Sequence, residues 1–227
     1  MCAICQKALS GRRGFVSAIA ESFGAPSVPL PAATTPDDAL RLLMEGNARY
    51  VANEPTERDY SAGRPSRALG QAPFAAILGC ADSRVLAEMA FDRGPGDLFV
   101  VRVAGNFVTE MGLGSLEFGA AILGTKLIMV LGHTNCGAVD ATVTSLQSGE
   151  TLPGHIDELV RGMAPGIRPV LSEPGEDLRH RAMIANVRYN TELLRTAPPI
   201  LADLVAKGQL RVEGAVYDLA TGKVELV

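Results

Sequence analysis

Residues Phe74 to Cys80 read FAAILGC, Leu98 to Val103 read LFVVRV and Lys126 to Gly132 read KLIMVLG. Runs this short and nearly all apolar, rich in Val, Ile and Leu, predict strands buried on both faces. Helix-spaced stretches lie between and after them, at Val85 to Phe91, Leu113 to Leu123 and Val139 to Ser148. This alternation predicts an α/β fold with a mainly parallel central β-sheet flanked by helices. Upstream, Thr35 supplies an N-cap, Pro36 a first helical residue and Asp37 and Asp38 a negative first turn, so a helical arm is expected from about Pro36 to Val51. Glu54 to Gln71 is polar and interrupted by Pro55, Gly63, Pro65 and Gly70, and should run over a surface or a neighbouring subunit. Downstream, Asp177 to Lys207 is helix-spaced and broken at Pro198 and Pro199. Leu210 to Leu219 alternates as a strand, and Lys223 to Val227 adds another after the Thr221-Gly222 turn.

The 227-residue chain is long enough to bury a sizeable core. Its 47% hydrophobic and 20% charged content excludes a disordered or low-complexity protein. A net charge of −4 is no footprint for nucleic acid. The longest apolar run of the body, Leu127 to Gly132, is far short of the roughly 20 residues of a membrane span. Four cysteines, at 2, 5, 80 and 136, are too sparse for a disulfide framework.

Residues 1–34 read as an extension and linker ahead of a domain at 35–227. Ser10 to Phe15, SGRRGF, is like the start of a twin-arginine export signal, but Glu21 interrupts the apolar stretch behind it. A cytoplasmic protein is the expectation, with a periplasmic one the alternative if that segment is functional. Cys2 and Cys5 form a C-x-x-C in this terminus, and Ala25 to Thr35 is Pro- and Ala-rich.

The chemistry-bearing residues gather where an open α/β sheet presents its crevice, outside the carboxyl ends of the strands. Cys80 ends the first predicted strand, His133 follows the third, and Cys136 stands three residues later in GHTNCG. Two thiolates and an imidazole form a catalytic zinc pattern, since the fourth tetrahedral position stays open. Singly, each of the three also fits a buried core residue. Cys80 opens the string Cys80-Ala81-Asp82-Ser83-Arg84, in which carboxylate and guanidinium can form a bidentate pair beside a metal. A helix-capping Asp82 and a surface Arg84 fit the same letters.

C-x-D-S-R followed by H-x-x-C-G resembles the signature of the β-class carbonic anhydrases, and the likeness runs from about Pro36 to the C-terminus. Gly94 to Asn106, GPGDLFVVRVAGN, is similar to the family's second strand and loop, and Ser115 to Phe118 to the helix before the zinc histidine strand. The resemblance implies one Zn2+ per chain on Cys80, His133 and Cys136. Its activity would be reversible hydration of CO2 to bicarbonate and a proton by a zinc-bound hydroxide. It implies that Asp82 and Arg84 are catalytic, with Asp82 a fourth ligand only in a closed state. It also implies a substrate pocket of Gln71, Phe99, Phe118 and Gly137, shared across a homodimer or tetramer. Two thiolates leave the zinc site formally neutral, so activity should rise on the alkaline side. A bicarbonate-sensing subgroup uses a Trp, Arg and Tyr trio; Arg102 stands at the Arg place but Ile77 and Phe118 fill the others, so that site should be missing or altered.

His155, in Pro153-Gly154-His155, is a solvated loop residue or a proton relay, and His180, between Arg179 and Arg181, most simply belongs to an exposed helix face. Two rival readings use the same zinc ligands: a hydrolase of carbonyl sulfide or carbon disulfide, and a non-catalytic zinc scaffold closed by Cys2 or Cys5. No G-x-G-x-x-G or G-x-S-x-G supports a dinucleotide site or a serine hydrolase.

Overall fold

The computed structural model describes residues 33–61, 63–175 and 177–227. Cys2, Cys5, the Ser10 to Phe15 segment and most of the linker lie outside the described residues.

Helix α1 (Pro36–Val51) opens on Thr35, whose side chain accepts from the Asp38 amide. A short helix α2 (Arg64–Arg67) follows, then β1 (Ala75–Gly79), α3 (Ala87–Ala90), β2 (Leu98–Arg102), α4 (Glu110–Ala121) and β3 (Leu127–His133). The second half holds α5 (Gly137–Ser148), α6 (Ile156–Ile167) with a 3-10 extension (Arg168–Ser172), α7 (Leu178–Arg195), α8 (Leu201–Ala206), β4 (Arg211–Tyr217) and β5 (Val224–Leu226). The strands form one sheet in the order β2-β1-β3-β4-β5. The first four run parallel and β5 pairs antiparallel to β4. The expected α/β architecture is therefore the one observed, with helices over both faces. Among the described residues no helix is long and apolar enough to cross a membrane.

Side chains alternate across β3 into two cores. Ile128 and Val130 join Leu78, Leu116, Val139, Met163, Ile167 and Val187 on one face. Leu127, Met129 and Leu131 join Ile77, Ala39, Leu43 and Phe91 on the other. β1 and β3 are buried throughout, but β2 is only partly buried. Its apolar run is that of an edge strand, which has a neighbour on one side only.

Helix boundaries also differ from the sequence reading. The expected helix at Val85 to Phe91 shrinks to α3, because Leu86 is extended and Val85 is held in a turn by the Asp82 carbonyl. Helix α4 starts earlier than Leu113, capped by Thr109, which accepts from the Gly112 amide. Helix α6 was not anticipated, since Gly162, Pro165 and Gly166 weaken the helical pattern. Those glycines serve contact: a Cβ on Gly162 would fall 2.2 Å from Phe107 and one on Gly166 would fall 2.9 Å from Tyr189.

Asp92 anchors the polar segment after α1. Its side chain is 1% exposed and sits between Arg49 and Arg58. Arg49 Nε donates to Oδ2 at 2.6 Å and Thr56 Oγ1 donates at 2.7 Å. Burial opposes the charge, yet Arg58, Arg49 and Thr56 outweigh it and hold the carboxyl well below the usual carboxylate range. A depressed folded pKa gives stability that is complete above the unfolded value, about 3.9, and is lost as pH falls through the folded one. Asp92→Asn should cost about 2–3 kcal/mol at pH 7 in urea unfolding, with the difference from wild type narrowing below about pH 4.

Candidate metal centre

Sheet order decides the location of the centre. β1 and β3 are adjacent, with Gly79 level with Leu131, so Cys80 leaves the sheet level with Gly132 and His133 follows one residue on. Asn135 then adopts φ +54, which turns the chain so that Cys136 becomes the N-cap of α5. Cys80, His133 and Cys136 are all buried and their ligand atoms lie within 4.8 Å of one another.

The two sulfurs are 3.9 Å apart. Tetrahedral zinc with Zn–S bonds near 2.3 Å requires about 3.8 Å between two sulfurs. The His133 ring is oriented for the same purpose. Its Nδ1 faces the Thr134 carbonyl at 2.9 Å, while Nε2 is buried with no hydrogen-bond partner among the described residues. A proton on Nδ1 leaves the Nε2 lone pair free for a metal. Donor types, spacing and this orphaned nitrogen all fit zinc.

Electrostatics set the two thiols apart. The contact with Cys136 is the largest influence lowering the Cys80 thiol, to about 4, helped by His133 and the backbone at Gly105 and Asp82 against the cost of burial. The same contact pushes Cys136 upward. The first ionisation of the pair is thus eased and the second opposed, and a metal bound to both sulfurs displaces both protons. Burial lowers the His133 pKa, but Cys80 and the Thr134 carbonyl more than offset this and raise it.

Asp82 Oδ2 stands 3.8 Å from His133 Nε2. Both carboxylate oxygens are nonetheless bonded to Arg84, Nε to Oδ1 at 2.9 Å and Nη2 to Oδ2 at 2.7 Å, and the Arg84 amide also donates to Oδ1 at 2.9 Å. Arg84 is the main cause holding the Asp82 carboxyl far below the ordinary range. The capping alternative does not apply, since Leu86, not Asp82, is the N-cap of α3.

The residues expected to line a substrate pocket lie as follows within one subunit. Gln71 is exposed ahead of β1, and Gly137 is exposed at the start of α5. Phe99 and Phe118 meet each other, with ring centroids 6.5 Å apart. Ile77 is wholly buried in the core. Arg102 grips the loop backbone, with Nε to the Cys80 carbonyl at 2.9 Å and Nη2 to the Asp82 carbonyl at 2.6 Å. His155 is exposed at the N-cap of α6. His180 is exposed in the first turn of α7, where it lines a cavity of about 320 Å³ together with Asn135, Cys136 and Asp140.

Two features escaped the sequence reading. The Gly105 amide donates to Cys80 Sγ at 3.3 Å, and the Thr134 hydroxyl joins the Leu219 amide and Asp218 at the end of β4. Gly105 lies within the strand-and-loop run at Gly94 to Asn106, whereas nothing in the letters around Thr134 marks its partners.

Comparison with known proteins agrees with this geometry. The sequence profile described as carbonic anhydrase matches residues 75–224. Carbonic anhydrase 2 of Mycobacterium tuberculosis is 38% identical over 199 residues, which cover 85% of this chain and 93% of that protein. The carbonic anhydrase of Pseudomonas aeruginosa is 34% identical, covering 82% of this chain and 86% of its own length. Among solved structures, a Coccomyxa β-carbonic anhydrase in complex with acetazolamide superposes with a TM-score of 0.65 at 28% identity, over 83% of this chain and 86% of that one. With a cysteine–histidine–cysteine cluster at the carboxyl ends of adjacent strands and these matches along most of its length, the chain belongs to the β-class of the carbonic anhydrase family.

Proposed function

We propose that this chain hydrates carbon dioxide reversibly to bicarbonate and a proton, using one zinc ion held by Cys80, His133 and Cys136. The observation that carries the reading is the buried three-atom cluster lying beside a carboxylate whose two oxygens are already engaged by an arginine. Zinc bound there makes a water molecule nucleophilic toward the carbon of CO2.

The chain's own residues supply the rest. Asp82 accepts a hydrogen bond from the attacking water and so aims its lone pair at the substrate carbon. Arg84 fixes both oxygens of Asp82, and Arg102 fixes the backbone on which Asp82 is carried. Without Arg84 the carboxylate, already 3.8 Å from His133 Nε2, would be free to swing toward the three ligand atoms and compete with water there. Arg84 therefore keeps the site open as well as aligned. The proton released passes to solvent or buffer.

The substrate wall is completed by a second copy of the chain. Gln71 is exposed in its own subunit, and Leu69, Leu86, Met89 and Met111 are large apolar side chains left 77%, 46%, 58% and 73% exposed. The fungal structures from Sordaria macrospora, 25% identical with a TM-score of 0.61, are two tetrameric β-carbonic anhydrases.

Three outcomes are expected. Arg84→Ala should keep one zinc per chain by metal analysis while stopped-flow CO2 hydration falls by about 100-fold, because the attacking water loses its alignment. Cys136→Ser should lose zinc, since a hydroxyl is a poor ligand for this ion; full occupancy would exclude Cys136 from the ligand set. Sedimentation should show a dimer or tetramer, and a strictly monomeric active enzyme would refute the shared wall.

A further inference from the structure

We propose that Asn186 and Asn190 of α7 are positioning residues for the metal centre, holding the Gly105 N–H in a hydrogen bond to the Cys80 thiolate. The inference rests on the zinc reading above and extends it to the electron density of one ligand.

The geometry forms a continuous chain. The Gly105 amide lies 3.3 Å from Cys80 Sγ, and the carbonyl of the same residue accepts from Asn186 Nδ2 at 2.8 Å. Asn190 Oδ1 accepts from the Val108 amide at 2.8 Å, clamping the far end of the loop. Asn190 Nδ2 in turn donates to Asn186 Oδ1 at 3.1 Å and to the Asn186 carbonyl at 2.8 Å, which locks the orientation of the first amide. Asn186 and Asn190 are 0% and 1% exposed.

Two further facts separate this arrangement from ordinary packing. Both asparagines sit on the face of α7 that otherwise buries Ala182, Met183, Val187 and Leu194. Burying amides there is costly unless they are fully bonded, and what they bond is the loop above Cys80. Gly105 itself cannot be fastened by a side chain, because a Cβ would fall 2.2 Å from Met163 Sδ and its φ is +84. Its carbonyl is held instead from α7, which fixes the Gly105 backbone whose N–H faces the sulfur. A thiolate that accepts an N–H bond donates less charge to its metal, which leaves the ion a stronger Lewis acid in a site where two thiolates would otherwise neutralise it.

The test uses the full-length protein loaded with an NMR-active cadmium isotope. The Gly105 amide proton should show a scalar coupling to cadmium transmitted through Cys80 Sγ. Asn186→Leu should abolish that coupling and move the sulfur-to-metal charge-transfer band of the cobalt(II) form to longer wavelength. It should also weaken metal affinity by about tenfold in competition with a chelator. Thr191→Val is the packing control. Its hydroxyl donates to the Val187 carbonyl within α7, so it should lower thermal stability without moving the band. Cadmium coupled to Cys80, Cys136 and His133 but not to Gly105 would overturn the inference, as would an unmoved band in Asn186→Leu. If Asn186→Leu does not fold, the coupling in the wild-type protein decides. Cadmium that fails to couple to Cys80 or His133 would refute the zinc reading itself.

Discussion

The pairing of β1 with β3 is the constraint on which the site depends. Cys80 and Cys136 are separated by 56 positions, and only the adjacency of the two parallel strands brings their sulfurs to 3.9 Å. The register matters as much as the adjacency. A slip of one residue would send the side chains of β3 to the opposite faces, exchanging the Ile128 and Val130 core for the Leu127, Met129 and Leu131 core. The register of the cysteine–histidine–cysteine cluster is thus held by the burial of a strand in which every residue is covered.

Charge balance determines what this geometry can do. Two sulfurs and a nearby carboxylate would together bind a divalent cation too completely, leaving no position for chemistry. Arg84 occupies both oxygens of Asp82, and Arg102 holds the two carbonyls that flank Ala81. The acid therefore lies beside the cluster with both oxygens already engaged. Arg84 is exposed, with a side-chain accessibility of 55%, so this pairing is sustained by bidentate geometry and the added backbone bond more than by burial.

Much of this was legible from residue order alone. The three apolar runs marked the central strands, and their alternation with helical stretches placed Cys80 and His133 at one edge. Thr35-Pro36-Asp37-Asp38 located the start of α1. Legibility failed where tertiary contact overrides local preference. The glycines of α6 weaken its helical signal, and the residues they accommodate, Phe107 and Tyr189, are remote in sequence. β2 read as fully buried because an apolar run does not reveal whether its strand has one neighbour or two. Phe99 and Phe118, expected as pocket walls, lie beside each other as a tilted pair within one subunit. The roles of Asn186 and Asn190 were hidden because two asparagines four apart on a helix carry no sign of the loop they hold.

The back of the centre leaves no room for added atoms. A Cβ on Gly132 would fall 2.5 Å from Val187 Cγ2, and Gly105 and Gly162 are bounded as closely by Met163 and Phe107. Gln71, Ala81, Asn135 and Gly137, by contrast, are open to solvent within the subunit. Sequence drift that retunes this enzyme is therefore channelled to one side. The rim can exchange residues without such clashes, save Asn135, whose φ of +54 suits few side chains, while the rear wall behaves as a casting whose dimensions any working descendant must inherit.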